Sequence, residues 1–157
     1  MTAAGAADST ATGAADSRLF QWLVEQTPDA IVFADPDGII RIWNAAAETL
    51  FGFSAGEAIG QSLDLIVPER FRRAHWEGFQ RAMASGHTKS GDPVRITRSL
   101  HKLGRTLYVE ISFGLVRDDA GAVIGSVAVG RDGTARFLEM RRGSIGGCAS
   151  RTSSSPG

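Results

Sequence analysis

Two periods of apolar residues alternate along this chain. Leu19, Phe20, Leu23 and Val24 fall on one face of a short helix that Asp16 or Ser17 can cap and Pro28 stops. Ala30 to Ala34 read as a strand, Asp35-Pro36-Asp37-Gly38 as a turn and Ile39 to Trp43 as the returning strand, together a hairpin. Asn44 begins an alanine-rich helix that Gly52 ends, and Ser54 and Glu57 have capping-box spacing for another short helix before Gly60. Leu63, Leu65, Ile66 and Val67 form the next buried segment. Pro68 then opens a helix to about Met83, on which a projection of about 100° per residue puts Phe71, His75, Gly78, Phe79 and Ala82 on one face. Arg73, Glu77, Gln80 and Arg81 lie largely opposite, so a histidine sits in the middle of an apolar stripe.

From Pro93 the period becomes two. Val94, Ile96 and Arg98 alternate with Arg95, Thr97 and Ser99, which predicts a strand with one wetter face. Leu107, Val109, Ile111, Phe113 and Leu115 mark a second strand, and Val123 to Gly130 a third after the Asp118-Asp119-Ala120-Gly121 turn. Thr134 to Arg142 can form a closing helix. Two strands, several short helices and three strands predict an α+β fold: a five-stranded antiparallel sheet, short helices on one face, and helical extensions at both ends. The expected organisation is a disordered segment 1–16, an N-terminal helix 17–28, a core 29–132, a C-terminal helix 133–142 and a disordered tail 143–157.

Composition narrows the function classes. The 157 residues suffice for one core, and 17 basic against 17 acidic side chains give no global pull toward nucleic acid or anionic lipid. No zinc finger, phosphate loop or aromatic-basic repeat indicates specific nucleic-acid recognition. The single cysteine, Cys148, excludes an internal disulfide framework, and no apolar run reaches membrane-spanning length. Without an export signal, the expectation is a cytoplasmic protein with no membrane partner. No paired-carboxylate or nucleophile-base constellation stands at interpretable spacing, so no enzymatic activity is expected. His75 alone has two readings: a packed imidazole bonded to a carbonyl or water, or a ligand offered inside a pocket, with Gly78 leaving space on the adjacent turn.

Asp29 to Phe53, followed by Gly56-Glu57-Ala58-Ile59-Gly60, Gly104-Arg105 and Val127 to Asp132, resembles a PAS sensor domain over about residues 20–137. The resemblance implies the PAS fold and a sensory role. Within that family, Pro68 to His75 resembles the segment that supplies the proximal ligand in oxygen-sensing haem PAS domains. That likeness makes His75 Nε2 the iron ligand of haem b, with Nδ1 needing an acceptor. Arg95 stands where those domains carry the arginine that hydrogen-bonds bound oxygen, a role that suits a permanently charged guanidinium. By the same likeness Phe71 and Phe79 flank the cofactor, Ile111, Phe113, Val127 and Val129 form its apolar distal wall, and Arg81, with Lys89 or His87, meets a propionate. Simple core packing explains the same apolar residues. Asp132-Gly133-Thr134 resembles the Asp-hydrophobic-Thr motif of signal transmission, with Gly133 in the hydrophobic position, a departure expected to loosen the junction.

The resemblance leaves two alternatives: a PAS module holding a small organic ligand, and a ligand-free homodimerisation module. Leu19, Phe20, Leu23 and Val24 offer a face for a homodimer through the N-terminal helix, which Phe137, Leu138 and Met140 could join. A downstream signalling protein is the other expected partner.

Overall fold

The computed structural model describes residues 9–88 and 94–146. Helix α1 (Ser9–Gln26) leads into the hairpin β1 (Ala30–Ala34) and β2 (Ile40–Trp43). Helices α2 (Ala45–Phe51) and α3 (Ala55–Ala58), a 3-10 turn at Leu63–Leu65 and helix α4 (Glu69–Ser85) follow. Strands β3 (Val94–Leu100), β4 (Thr106–Arg117) and β5 (Val123–Asp132) complete the sheet before helix α5 (Thr134–Gly146). The five strands lie in the order β2-β1-β5-β4-β3, every neighbouring pair antiparallel. This is the expected α+β architecture.

Local chemistry accounts for the turns. Asp35 Oδ1 accepts the amides of Asp37 and Ile39 at 3.0 and 3.1 Å and so rounds the hairpin. Ser54 and Glu57 complete both bonds of the capping box, and Gly52 ends α2 in the left-handed conformation at φ 83°. Three boundaries differ from expectation. Helix α1 begins at Ser9 rather than Ser17. Helix α5 continues through Gly143 to Gly146, beyond the expected end at Arg142. Pro68 caps α4 from outside its first turn. Lys89 and Cys148 lie outside the described residues, as do the remainders of the two expected disordered segments.

The inner face of the sheet carries Ala30, Val32, Ala34, Ile40, Trp43, Leu107 and Val109, which pack with Ala47, Phe51, Ala58, Leu63, Ile66 and Phe79 of the helical layer. Removing these side chains from water is the main favourable term of folding. Of the three buried polar residues among those described, Asn44, Ser99 and Ser126, the first is fully sealed. Asn44 is 0% exposed and uses its whole amide: Nδ2 donates to Val24 O at 2.8 Å and Asp29 O at 3.0 Å, while Oδ1 accepts from Ile31 N at 2.9 Å and Ala47 N at 3.0 Å. The end of α1, the linker, β1 and the first turn of α2 all meet at this side chain.

Each orphaned buried partner costs about 1–3 kcal/mol. Asn44→Ala is therefore expected to lower unfolding free energy by at least about 3 kcal/mol and to raise amide exchange first in α1. Denaturant unfolding and hydrogen exchange read the two effects.

Candidate sensory cavity

Between α4 and the inner sheet face lies a cavity of about 1100 Å³. Its sheet wall is built from small residues in the middle, Ala34, Ser126, Ala128 and Gly130, with Ile111 and Phe113 beside them. Small side chains on the central strands leave the volume that larger ones would fill. On β3 the inward side chains are Arg95, Thr97 and Ser99, which pair across the ladder with Ile111, Val109 and Leu107. The polar set of this strand thus faces the cavity, and the more apolar set, Val94 and Ile96, faces outward. An ordinary half-buried strand has the opposite polarity.

Helix α4 supplies the facing wall with Phe71, His75, Gly78, Phe79 and Arg81, and His87 and Thr88 follow at its end. Phe79 and Ala82 are buried, His75 and Trp76 half-buried, and Phe71, Gly78 and Arg81 exposed. The His75 ring stacks on Phe79 at 6.1 Å between centroids and meets the Trp76 ring edge-on at 5.2 Å. Its Nδ1 is buried without a hydrogen-bond partner. Burial pushes the His75 pKa below its usual value, and the Asp64 carboxylate partly offsets that effect. The imidazole is therefore held neutral, the form in which it can ligate a metal. Among the described residues, no group of three or more His, Cys, Asp or Glu could hold a metal ion.

Most of the residues expected at the site gather around this cavity: His75, Phe71, Gly78, Phe79, Arg81, Arg95, Ile111 and Phe113. Val127 and Val129 do not. They lie opposite Gly114 and Ser112 on β4 and opposite Phe33 and Ile31 on β1, on the outer face of the sheet. Strand alternation then gives their neighbours Ser126, Ala128 and Gly130 to the cavity. Beyond its chain neighbours and its own helix backbone, no described atom lies within 4 Å of a Cβ built at Gly78, so packing within the chain does not require glycine there. Trp76, absent from the projected stripe, is half-buried because Gly38 makes room for it: a Cβ at Gly38 would lie 2.2 Å from its ring. The signal lay in the sequence as a positive-φ glycine in a turn, but its aromatic partner is distant in the chain.

Asp132 and Thr134 stand apart from the cavity, at the junction of β5 and α5. Asp132 Oδ1 accepts the Thr134 amide at 2.8 Å and its hydroxyl at 2.6 Å, and these bonds hold the Asp132 carboxyl below the usual range. Gly133 is buried, donates to Tyr108 O at 2.7 Å and accepts from Phe137 N at 2.9 Å. A Cβ there would lie 2.8 Å from Glu110 N, so glycine tightens this junction where a loosening was expected. Phe137 stacks on Tyr108 at 3.8 Å, and Arg136 pairs with Glu110, which docks α5 on the outer face of β4.

Comparison with known proteins agrees with this geometry. A family described as the PAS fold matches residues 18–133. The chain is 33% identical over 92 residues to the sensor protein FixL of Bradyrhizobium diazoefficiens, covering 59% of this chain and 18% of that protein. It is 26% identical over 132 residues to the oxygen sensor protein DosP of Escherichia coli, covering 84% of this chain and 16% of that protein. It therefore spans less than a fifth of either relative's length. Among solved structures, the PAS domain of a Colwellia psychrerythraea protein superposes with a TM-score of 0.64 at 25% identity, over 74% of this chain and 96% of that one.

Two measurements test the site's energetics. With the folded pKa of His75 below the unfolded value of about 6.5, the unfolded chain binds more protons between the two. The stabilising contribution of the neutral ring is complete above about pH 6.5 and is lost as pH falls toward the folded value. His75→Phe should flatten that part of the curve in thermal unfolding followed between about pH 5 and 8. Gly133→Val should destabilise the protein by about 1–3 kcal/mol and release α5, seen as faster amide exchange in that helix.

Proposed function

The chain belongs to the PAS family, and from that membership we propose that it is a sensory module that binds haem through His75 and responds to a diatomic gas. The observation that carries the reading is the position of the His75 ring, kept neutral on the wall of the cavity. The acceptor that Nε2 ligation calls for at Nδ1 is not supplied by the described protein groups. The donor set fits haem: one imidazole, a wall of Phe71, Phe79, Ile111 and Phe113, and Arg81 and His87 among the lining residues for the propionates. Bound there, haem would supply a coordination position for the gas. Arg95 would donate a charge-assisted hydrogen bond to an electron-rich gas atom, and the apolar side chains would exclude water. The description of DosP as an oxygen sensor supports oxygen as the gas.

Signal output would run through the terminal helices. Strand β3 turns Arg95, Thr97 and Ser99 into the cavity and Arg98 outward, where its guanidinium lies 6.0 Å from the Tyr108 ring. Tyr108 in turn stacks on Phe137 of α5, so an occupant that moves β3 acts on that helix through one strand. Exposed Leu19, Phe20, Trp22 and Leu23 on α1 suit a second copy of the chain, with a downstream signalling protein as recipient. Phe137 is spent on Tyr108, leaving Leu138 and Met140 as the exposed apolar residues of the first turns of α5. The role is sensory rather than catalytic.

The hydroxyls of Thr97, Ser99 and Ser126 in the cavity lining favour one second reading, a small organic ligand with a polar edge. Titration with haemin separates the two. A Soret band with histidine ligation is expected, and His75→Ala should abolish it. Unchanged coordination in His75→Ala sinks the ligand assignment. Absence of any band in the parent protein transfers the cavity to an organic ligand, identifiable by mass spectrometry of the denatured protein.

A further inference from the structure

The apolar stripe of α4 selects which face turns inward, but apolar burial alone leaves the finer rotation of the helix loosely set. Phe79 and Ala82 set the depth of the helix against the core, but hydrophobic contact is non-directional, whereas hydrogen bonds fix orientation. The directional contacts of α4 converge on one residue of the 3-10 turn. Asp64 Oδ1 accepts the Trp76 indole proton at 2.7 Å, and Asp64 O accepts from Arg72 Nη2 at 3.2 Å. Arg72 Nε also donates to Val67 O at 3.1 Å. Asp64 is itself fixed, since its amide donates to Ser62 Oγ at 3.2 Å.

We infer that Asp64 is the positioning residue for His75: through Trp76 and Arg72 it sets the rotation of α4 that turns the imidazole into the cavity. Arg72 and Trp76 lie one turn apart on the same side of His75, which sits about 60° round the axis from the first and about 100° from the second. The indole is pinned on its far side by Gly38, where a Cβ would lie 2.2 Å from the ring. Its other ring contacts are edge-on, with the imidazole at 5.2 Å and 77° and with Phe79 at 5.4 Å and 78°. A chain of contacts thus runs from the hairpin turn through Trp76 to His75, and Asp64 is the one hydrogen-bond acceptor that holds the indole in it. Asp64 is not itself among the lining residues, so it positions His75 through the helix. Separately, its charge partly offsets the lowering of the His75 pKa.

The functional consequence rests on the haem reading, whereas the positioning is testable without it. Asp64→Asn keeps an acceptor for the indole; Asp64→Leu keeps the approximate shape and removes it. In the protein without added ligand, the Trp76 ring current on the His75 ring protons, read by NMR, is expected to persist in Asp64→Asn and to vanish in Asp64→Leu. With haemin as the probe, Asp64→Leu should weaken binding about tenfold or more and lose the histidine-ligated spectrum, and Asp64→Asn should restore both. If circular dichroism shows Asp64→Leu unfolded, Asp64→Ser, too short to reach the indole, takes its place in the same NMR measurement. An unchanged His75 signal in the acceptor-free variant overturns the inference whatever haemin does. A parent protein that shows the ring-current effect but no histidine-ligated haem overturns the haem reading alone.

Discussion

The structure depends most on the amide of Asn44. A buried amide with two donors and an acceptor oxygen is tolerable only when each finds a partner, and here four backbone groups from four segments provide them. Once that side chain is placed, the exit of α1, the entry to β1 and the start of α2 are fixed relative to one another. The N-terminal helix is thereby docked by a polar bond at its last turns, while Leu19, Phe20, Trp22 and Leu23 stay exposed. Its attachment and its apolar face are separate features, so the helix can meet a partner without loss of its hold on the core. Next to the same linker, Asp29 pairs with Arg131 at 3.2 Å just before α5. The ion pair is exposed and worth at most about 1 kcal/mol. Its meaning is geometric: the two terminal helices leave the core from one corner.

The cavity follows from where the chain puts its small residues. Ala30, Ala34, Ser126, Ala128 and Gly130 occupy the inward positions of adjacent strands, and the larger Ile31, Phe33, Val127 and Val129 occupy the outward ones. A sheet that only needed a dense core would reverse this arrangement. With β3 contributing Arg95, Thr97 and Ser99 to the same space, the interior is shaped for an occupant with polar as well as apolar surface. Any such occupant that binds the folded state alone also stabilises it by mass action.

Much of the fold was legible because it is encoded locally. Capping at Ser54, the Asp35 turn, the Gly52 stop and the strand periods each depend on residues a few positions apart. What was not legible depends on partners far away. Alternation shows that Val127 and Val129 share a face but not which face is inward, and hydrophobicity points the wrong way when a cavity takes the small residues. Helical projection places Phe71, His75 and Phe79 together yet misses Trp76, whose burial is decided by a glycine in the hairpin. Asn44 reads as a helix start; that its other amide atoms reach back to Val24 and Asp29 follows only from the folded chain. Gly133 reads as a weak link because a missing side chain suggests missing contact, whereas its backbone approaches Glu110 too closely for any Cβ.

These features bear together on how a change in the cavity could leave it. Strand β3, like β2, is an edge strand of the sheet, paired with a neighbouring strand along one side only. It is also the strand that turns its polar residues inward. On its outer side Arg98 faces Tyr108, and Tyr108 is bound to α5 twice, by its ring to Phe137 and by its carbonyl to Gly133. The edge-strand part of the cavity wall is therefore adjacent to an anchored point of the C-terminal helix. A glycine at position 133 makes that coupling tighter, since it brings backbone against backbone where a larger residue would interpose a flexible side chain.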